Sequence, residues 1–269
     1  MNRTTAAAAN SLITEAAPGT WQELERIVTA VLAECGMYVQ HGVTLTLPRG
    51  TVDVDVHAEE TVDGIVHRTI CECKHWRATV PKTVVHSFRT VMAEAGVHRG
   101  YIISTNGFQA GAVEAAVATN IELVTFEEFQ RAYFDKWIGK RIWAIEKELD
   151  GFHTYYEPLG PPGYSKLDND DERAAYDEVW DRYLFAGLML HPFSPYMRMV
   201  GSYPYPPLPF DCSSLDAKKI AIPDDIRNAK GYREFFELLS KYGLEGRAAL
   251  RAVNPITRAK PREAIQNED

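Results

Sequence analysis

The stretch Thr69-Ile70-Cys71-Glu72-Cys73-Lys74-His75-Trp76 decides how this chain is read. Its β-branched and apolar residues predict a buried strand, which two charges, Glu72 and Lys74, interrupt. Strand side chains alternate, so Glu72 and Lys74 share one face and Cys71 and Cys73 the other. Burying an acid and a base on a core-like strand is costly and asks for a reason.

Upstream, Thr51 to Glu60 alternates, with Val52, Val54 and Val56 on one face and Asp53, Asp55 and His57 on the other. Val62-Asp63-Gly64-Ile65 joins the two strands, and Asp-Gly suits the positive φ angles of a type I′ turn. That turn pairs Val62 with Ile65 and, continued down the ladder, sets Asp55 opposite Glu72 and Asp53 opposite Lys74. Directly opposed residues have Cβ atoms about 4.5–5.5 Å apart, close enough for two carboxylates to grip one cation. Without a cation the pair Asp55 and Glu72 is repulsive.

A helix precedes the strands. Thr20 caps it, with Glu23 three residues on, and Leu24, Ile27, Val28, Val31, Leu32 and Cys35 form its apolar stripe up to Gly36. Glu23 and Glu25 flank that stripe on opposite edges: Glu23 reads as a first-turn surface acid, and Glu25 is equally able to lean toward a site. Met37 to Leu47 forms a strand that turns at Pro48-Arg49-Gly50. Past Trp76, Thr79 and Pro81 open a second helix, closed by Gly96. Arg99 to Thr105 and Ile121 to Thr125 read as short buried strands on either side of a small-residue helix, Ala110 to Thr119, with another helix from Phe126. The order α, three strands, α, β, α, β gives an α/β fold with a mixed central sheet flanked by helices.

Composition bounds the rest. At 45% hydrophobic and 25% charged residues, the chain reads as an ordinary globular protein, and no apolar run spans a membrane. Four cysteines and no secretion signal make the cytoplasm the default compartment. The net charge of −8 argues against nucleic acid as partner, yet from Lys74 to Arg99 the cations Lys74, Arg77, Lys82, Arg89 and Arg99 face only Glu94, a local +4.

Taken together, Leu24-Glu25, Asp55 within Val-Asp-Val-Asp-Val, Glu72-Cys73-Lys74, Gly100-Tyr-Ile-Ile-Ser-Thr105 and Gly107-Phe-Gln-Ala-Gly-Ala112 resemble the PD-(D/E)xK restriction-endonuclease-like superfamily, in its Mrr-type branch. The resemblance covers about residues 18 to 130, and it departs from the motif in having no proline before Asp55. It implies a Mg²⁺-dependent endonuclease acting on DNA phosphodiester bonds, with Mn²⁺ as a substitute, in restriction or anti-phage defence. Asp55, Glu72 and the carbonyl of Cys73 would hold the metal. Lys74 would orient or deprotonate the nucleophile, and Glu25 would bind a second metal or the water shell. Asp53 is the rival to Asp55. DNA would meet the protein through its phosphates near Lys74, Arg77 and Lys82. An RNA or branched-DNA nuclease and a catalytically idle binding module of the same fold are the alternatives.

Three segments follow: a flexible leader, 1–17; a nuclease domain, 18–134; and an accessory region, 135–269, mostly helical and rich in Pro and aromatics. In the last, a helix continues to a break at Gly151, Gly160-Pro-Pro-Gly163 is a loop, Asp168 to Glu172 caps a helix running to Leu190, Tyr203 to Phe210 is extended, Ala229 to Leu239 and Leu244 to Val253 are helices, and the last dozen residues fray. This region would choose the target, sense a signal, or bind a regulatory partner or a second copy of the chain.

Overall fold

In the computed structural model, residues 12–157, 160–201 and 204–258 are described, and they divide into two compact units, Leu12–Arg141 and the residues from Ile142 onward. The first unit opens with α1 (Trp21–Glu34), β1 (Tyr38–Leu47), β2 (Gly50–Val62) and β3 (Ile65–Lys74). Then come α2 (Lys82–Ala95), β4 (Arg99–Ser104), α3 (Ala110–Ala116), β5 (Ile121–Thr125) and α4 (Phe126–Glu148). The strands form one mixed sheet in the order β1-β2-β3-β4-β5, antiparallel from β1 to β3 and parallel from β3 to β5.

Local chemistry starts and stops these elements as the sequence predicts. Thr20 Oγ1 accepts the Glu23 N–H at 3.2 Å, and the Glu23 carboxylate reaches back to the Gly19 N–H at 2.7 Å, which fixes Glu23 as a capping acid. Pro81 precedes α2, where a missing N–H costs nothing, and Gly96 closes it in the left-handed conformation. Asp63 and Gly64 both have positive φ, as the tight turn requires.

The sheet is covered on both sides. On one, Val85, Phe88 and Met92 of α2 and Ala112 of α3 pack on Val54, Ile70 and Ile102. On the other, Tyr101 packs against Phe129 and Tyr133 of α4, and the Cys35 thiol that ends α1 lies against the Tyr133 carbonyl. Cys71 and Cys73 are buried on this second side, since Cys71 is paired with Tyr101.

One expectation fails in an informative way. Val52 and Val54 line the α2 side, but Val56 is paired with Cys71 and therefore faces α1 and α4. The alternation reverses at Asp55. It reverses opposite as well: Val43 packs on the α2 side, while His41 turns to Glu25 on α1. Gly42, at φ +60°, and Asp55 are the two residues missing from an otherwise continuous β1–β2 ladder. A glycine free to adopt a left-handed conformation lets both strands flip together without a change of register.

The leader expected over 1–17 lies outside the described residues up to 11. Its end is pinned: Ile13 and Thr14 are buried, and the Thr14 N–H donates to Gln130 Oε1 at 2.8 Å. The boundary expected at 134/135 falls inside α4, and the two units divide at 141/142.

The second unit contains α5 (Asp170–Leu190), α6 (Pro195–Val200), α7 (Ser213–Ala217), α8 (Asp224–Asn228) and α9 (Tyr232–Val253). Asn169 caps α5 through the Glu172 N–H at 2.8 Å. The two helices expected around Gly243 are one. A Cβ on Gly243 would sit 2.9 Å from Leu149, and one on Gly246 2.7 Å from Tyr183, so these glycines serve close packing rather than a break. The extended stretch expected from Tyr203 is present from Pro204, with Tyr203 and the terminal residues 259–269 outside the described residues.

Candidate active site

The β2–β3 ladder follows the register set by the Asp63-Gly64 turn from Val62↔Ile65 to Val56↔Cys71, and there it ends. Beyond that point the strands part, β2 staying with β1 and β3 with β4. Asp55 and Glu72, expected as a directly opposed pair, are therefore not ladder partners. Instead the Asp55 carboxylate fills the opening and accepts the Cys73 N–H at 2.6 Å. A side chain in that position lies in the plane of the sheet, at the junction of its two faces.

Glu72 and Lys74 point to the α2 side and pair with each other, Nζ to Oε1, at 2.5 Å. Burial and the neighbouring Asp55 charge push the Glu72 carboxyl above its ordinary range, and Lys74 opposes that shift. From the other side α1 brings Glu25, only 6% exposed. Its carboxyl is raised first by burial and further by Asp55, against the hydrogen bond from His41 Nε2 at 2.9 Å. The opening thus gathers three carboxylates and one ammonium from both faces of the sheet.

Asp53, the rival acid, is exposed and accepts the Thr44 hydroxyl at 2.6 Å, a partner on β1. It reaches the cleft of about 310 Å³ that Glu72 and Lys74 line with α2, but the acid that acts on Glu72 and Glu25 is Asp55. Arg77 and Lys82 are exposed near this cleft without an ion pair among the described residues. Arg99 does not belong to the basic rim: it begins β4 opposite Thr69, at the far end from Lys74, and is paired with Glu122 at 2.5 Å. His41 carries no mark in the sequence pattern. The one clue was a glycine inside its strand, since the contact with Glu25 exists only once α1 lies on the sheet.

The residues present fit a divalent cation. Asp55 and Glu72 are hard oxygen donors in a site with more negative than positive charge. The Cys73 carbonyl points to the same strand edge as its N–H, toward Asp55, and no β2 ladder uses that edge. Among the described residues no three His, Cys, Asp or Glu side chains are grouped to hold a metal by themselves. A pair of carboxylates completed by a carbonyl and water is how Mg²⁺ is commonly held.

No curated protein matches the chain. A solved structure titled "Crystal Structure of Protein of Unknown Function AF1548" is similar at 14% identity, over 86% of this chain and 97% of that one, with a TM-score of 0.35. Residues 18–133 match the Mrr catalytic family, described as a restriction endonuclease, and they span α1 through the first turns of α4. The part of the chain that builds the sheet and brings Asp55, Glu72 and Lys74 together is thus the part that is similar to the Mrr-type restriction endonuclease family.

Proposed function

We propose that the chain is a Mg²⁺-dependent endonuclease that hydrolyses phosphodiester bonds of DNA, with Mn²⁺ able to substitute. The observation that carries this reading is the convergence of Asp55, Glu72 and Lys74 where β2 and β3 part. Asp55, Glu72 and the Cys73 carbonyl would hold the cation. When bound, it would lower the pKa of a coordinated water and offset charge building on the phosphate.

The chain's own groups supply the rest. Lys74, whose ammonium pairs with Glu72 in the cleft, would donate hydrogen bonds to the scissile phosphate and to the attacking water. Glu25, held by His41, accepts a hydrogen bond from the water shell. Arg77 and Lys82 draw in the flanking phosphates. A role in restriction or anti-phage defence rests on the family alone. The residues from Ile142 onward are assigned to target choice, a regulatory partner or a second copy, and the exposed Leu188, Tyr196 and Met199 support such a surface.

Incubating supercoiled plasmid, linear DNA and RNA with the full chain, in Mg²⁺ and in EDTA, tests the reading. Cleavage of DNA in Mg²⁺ that stops in EDTA and in Lys74→Ala supports it. Equal degradation by parent and variant rejects it.

A further inference from the structure

Trp76 has no part in the chemistry above. It is 43% exposed and lines the same cleft as Glu72 and Lys74. Its ring centre lies 5.3 Å from Lys74 Nζ.

The exposure is not that of a loose loop. The main chain is fastened on both sides of the ring. The Lys74 carbonyl accepts the Thr105 N–H at 3.1 Å, His75 Nε2 lies 3.0 Å from the Pro18 carbonyl, and the Arg77 carbonyl accepts Asn106 Nδ2 at 2.5 Å. The indole therefore rises from a pinned stretch of chain and lines, with Val84, Ser87 and Val91 of α2, a cleft of about 310 Å³.

We propose that the Trp76 indole stacks on an unstacked base beside the scissile phosphate, so that the substrate is single-stranded DNA or DNA with an unpaired nucleotide at the cut. This rests on the nuclease reading of the same site. The argument is geometric. A base within a duplex offers only its edges, because neighbouring pairs cover both faces, whereas an unpaired base presents a face that any indole can cover. With the base on Trp76, the adjoining phosphate falls beside the Lys74 ammonium. Arg77 and Lys82 continue the positive track along the strand.

The test is fluorescence anisotropy with the full chain in EDTA, using a dye-labelled DNA strand of about 20 nucleotides and the duplex of the same sequence. The parent should bind the single strand more tightly than the duplex. Trp76→Ala should weaken single-strand binding by roughly tenfold or more and leave the duplex nearly unchanged, with Trp76→Phe retaining most of the parent's affinity. Trp76→Leu, which keeps apolar bulk but has no aromatic face, should behave like the alanine variant, and equal thermal melts confirm that each variant is folded. The inference is overturned if the parent prefers duplex or binds neither strand form. It is also overturned if Trp76→Ala weakens both forms alike or leaves the single strand unaffected. Tighter binding of single-stranded RNA overturns the assignment to DNA. Cleavage in Mg²⁺ is read separately: loss of the nuclease reading shows as an inert parent or an active Lys74→Ala, whereas the single-strand preference is read from the parent and the Trp76 variants in EDTA.

Discussion

The Asp55 carboxylate takes the Cys73 main-chain N–H at 2.6 Å, standing in for the ladder bond that β2 would have supplied. The acid is thereby locked to the strand that carries Glu72 and Lys74. The same bond marks the end of the β2–β3 ladder, so the split in the sheet and the gathering of charge have one cause.

That geometry separates the two aspartates. Asp55→Asn should lower cleavage at least about a hundredfold, the scale of losing one group that stabilises developing charge. Asp53→Asn, which disturbs only a hydrogen bond with Thr44, should stay near the parent. Initial rates on plasmid DNA in Mg²⁺ decide it, and a reversed order would hand the role to Asp53.

Buried acids make the fold sensitive to pH. Glu72 and Glu25 both have carboxyls raised above the ordinary 4.5, so the native state holds protons that the unfolded chain releases. Their contribution to stability is fully present below the unfolded value and is lost as pH rises through the raised native values. In EDTA, this site should therefore add more to the melting temperature at about pH 5 than at about pH 8. Mg²⁺ should raise the melting temperature more at the higher pH, where protons no longer compete, and Glu72→Gln should remove that gain. Calorimetry at both pH values is the measurement.

His41 should set the acid limb of activity. Its hydrogen bond opposes the burial that raises Glu25, so His41→Ala leaves the Glu25 carboxyl higher still. The acid side of the pH–rate profile should move to higher pH in His41→Ala and move less in His41→Gln, which can still donate. A profile unchanged in both variants would remove Glu25 from the chemistry.

Gly100 should be intolerant of any side chain. A Cβ there would meet Met92 Sδ at 2.3 Å and Phe88 at 2.6 Å, within the core between α2 and the sheet. Gly100→Ala should cost about 1–3 kcal/mol, read as a lowered midpoint in urea.

Much of this protein is written locally. The Asp63-Gly64 turn, the caps at Thr20 and Gly96 and the apolar spacing of α1 and α2 are satisfied by residues a few positions apart, so their outcome follows from sequence alone. So does the strand register as far as Val56↔Cys71. The candidate chemistry was legible for a related reason: a charged pair two residues apart on a buried strand has few inexpensive explanations. The place where the ladder stops was not legible. It depends on Gly42 and Asp55 reversing the alternation together, on β3 leaving β2 for β4, and on α1 carrying Glu25 to His41, none of which are neighbours in the chain. Local propensity chooses the strands and their turn; only packing of the two helical layers on the sheet decides which carboxylates meet.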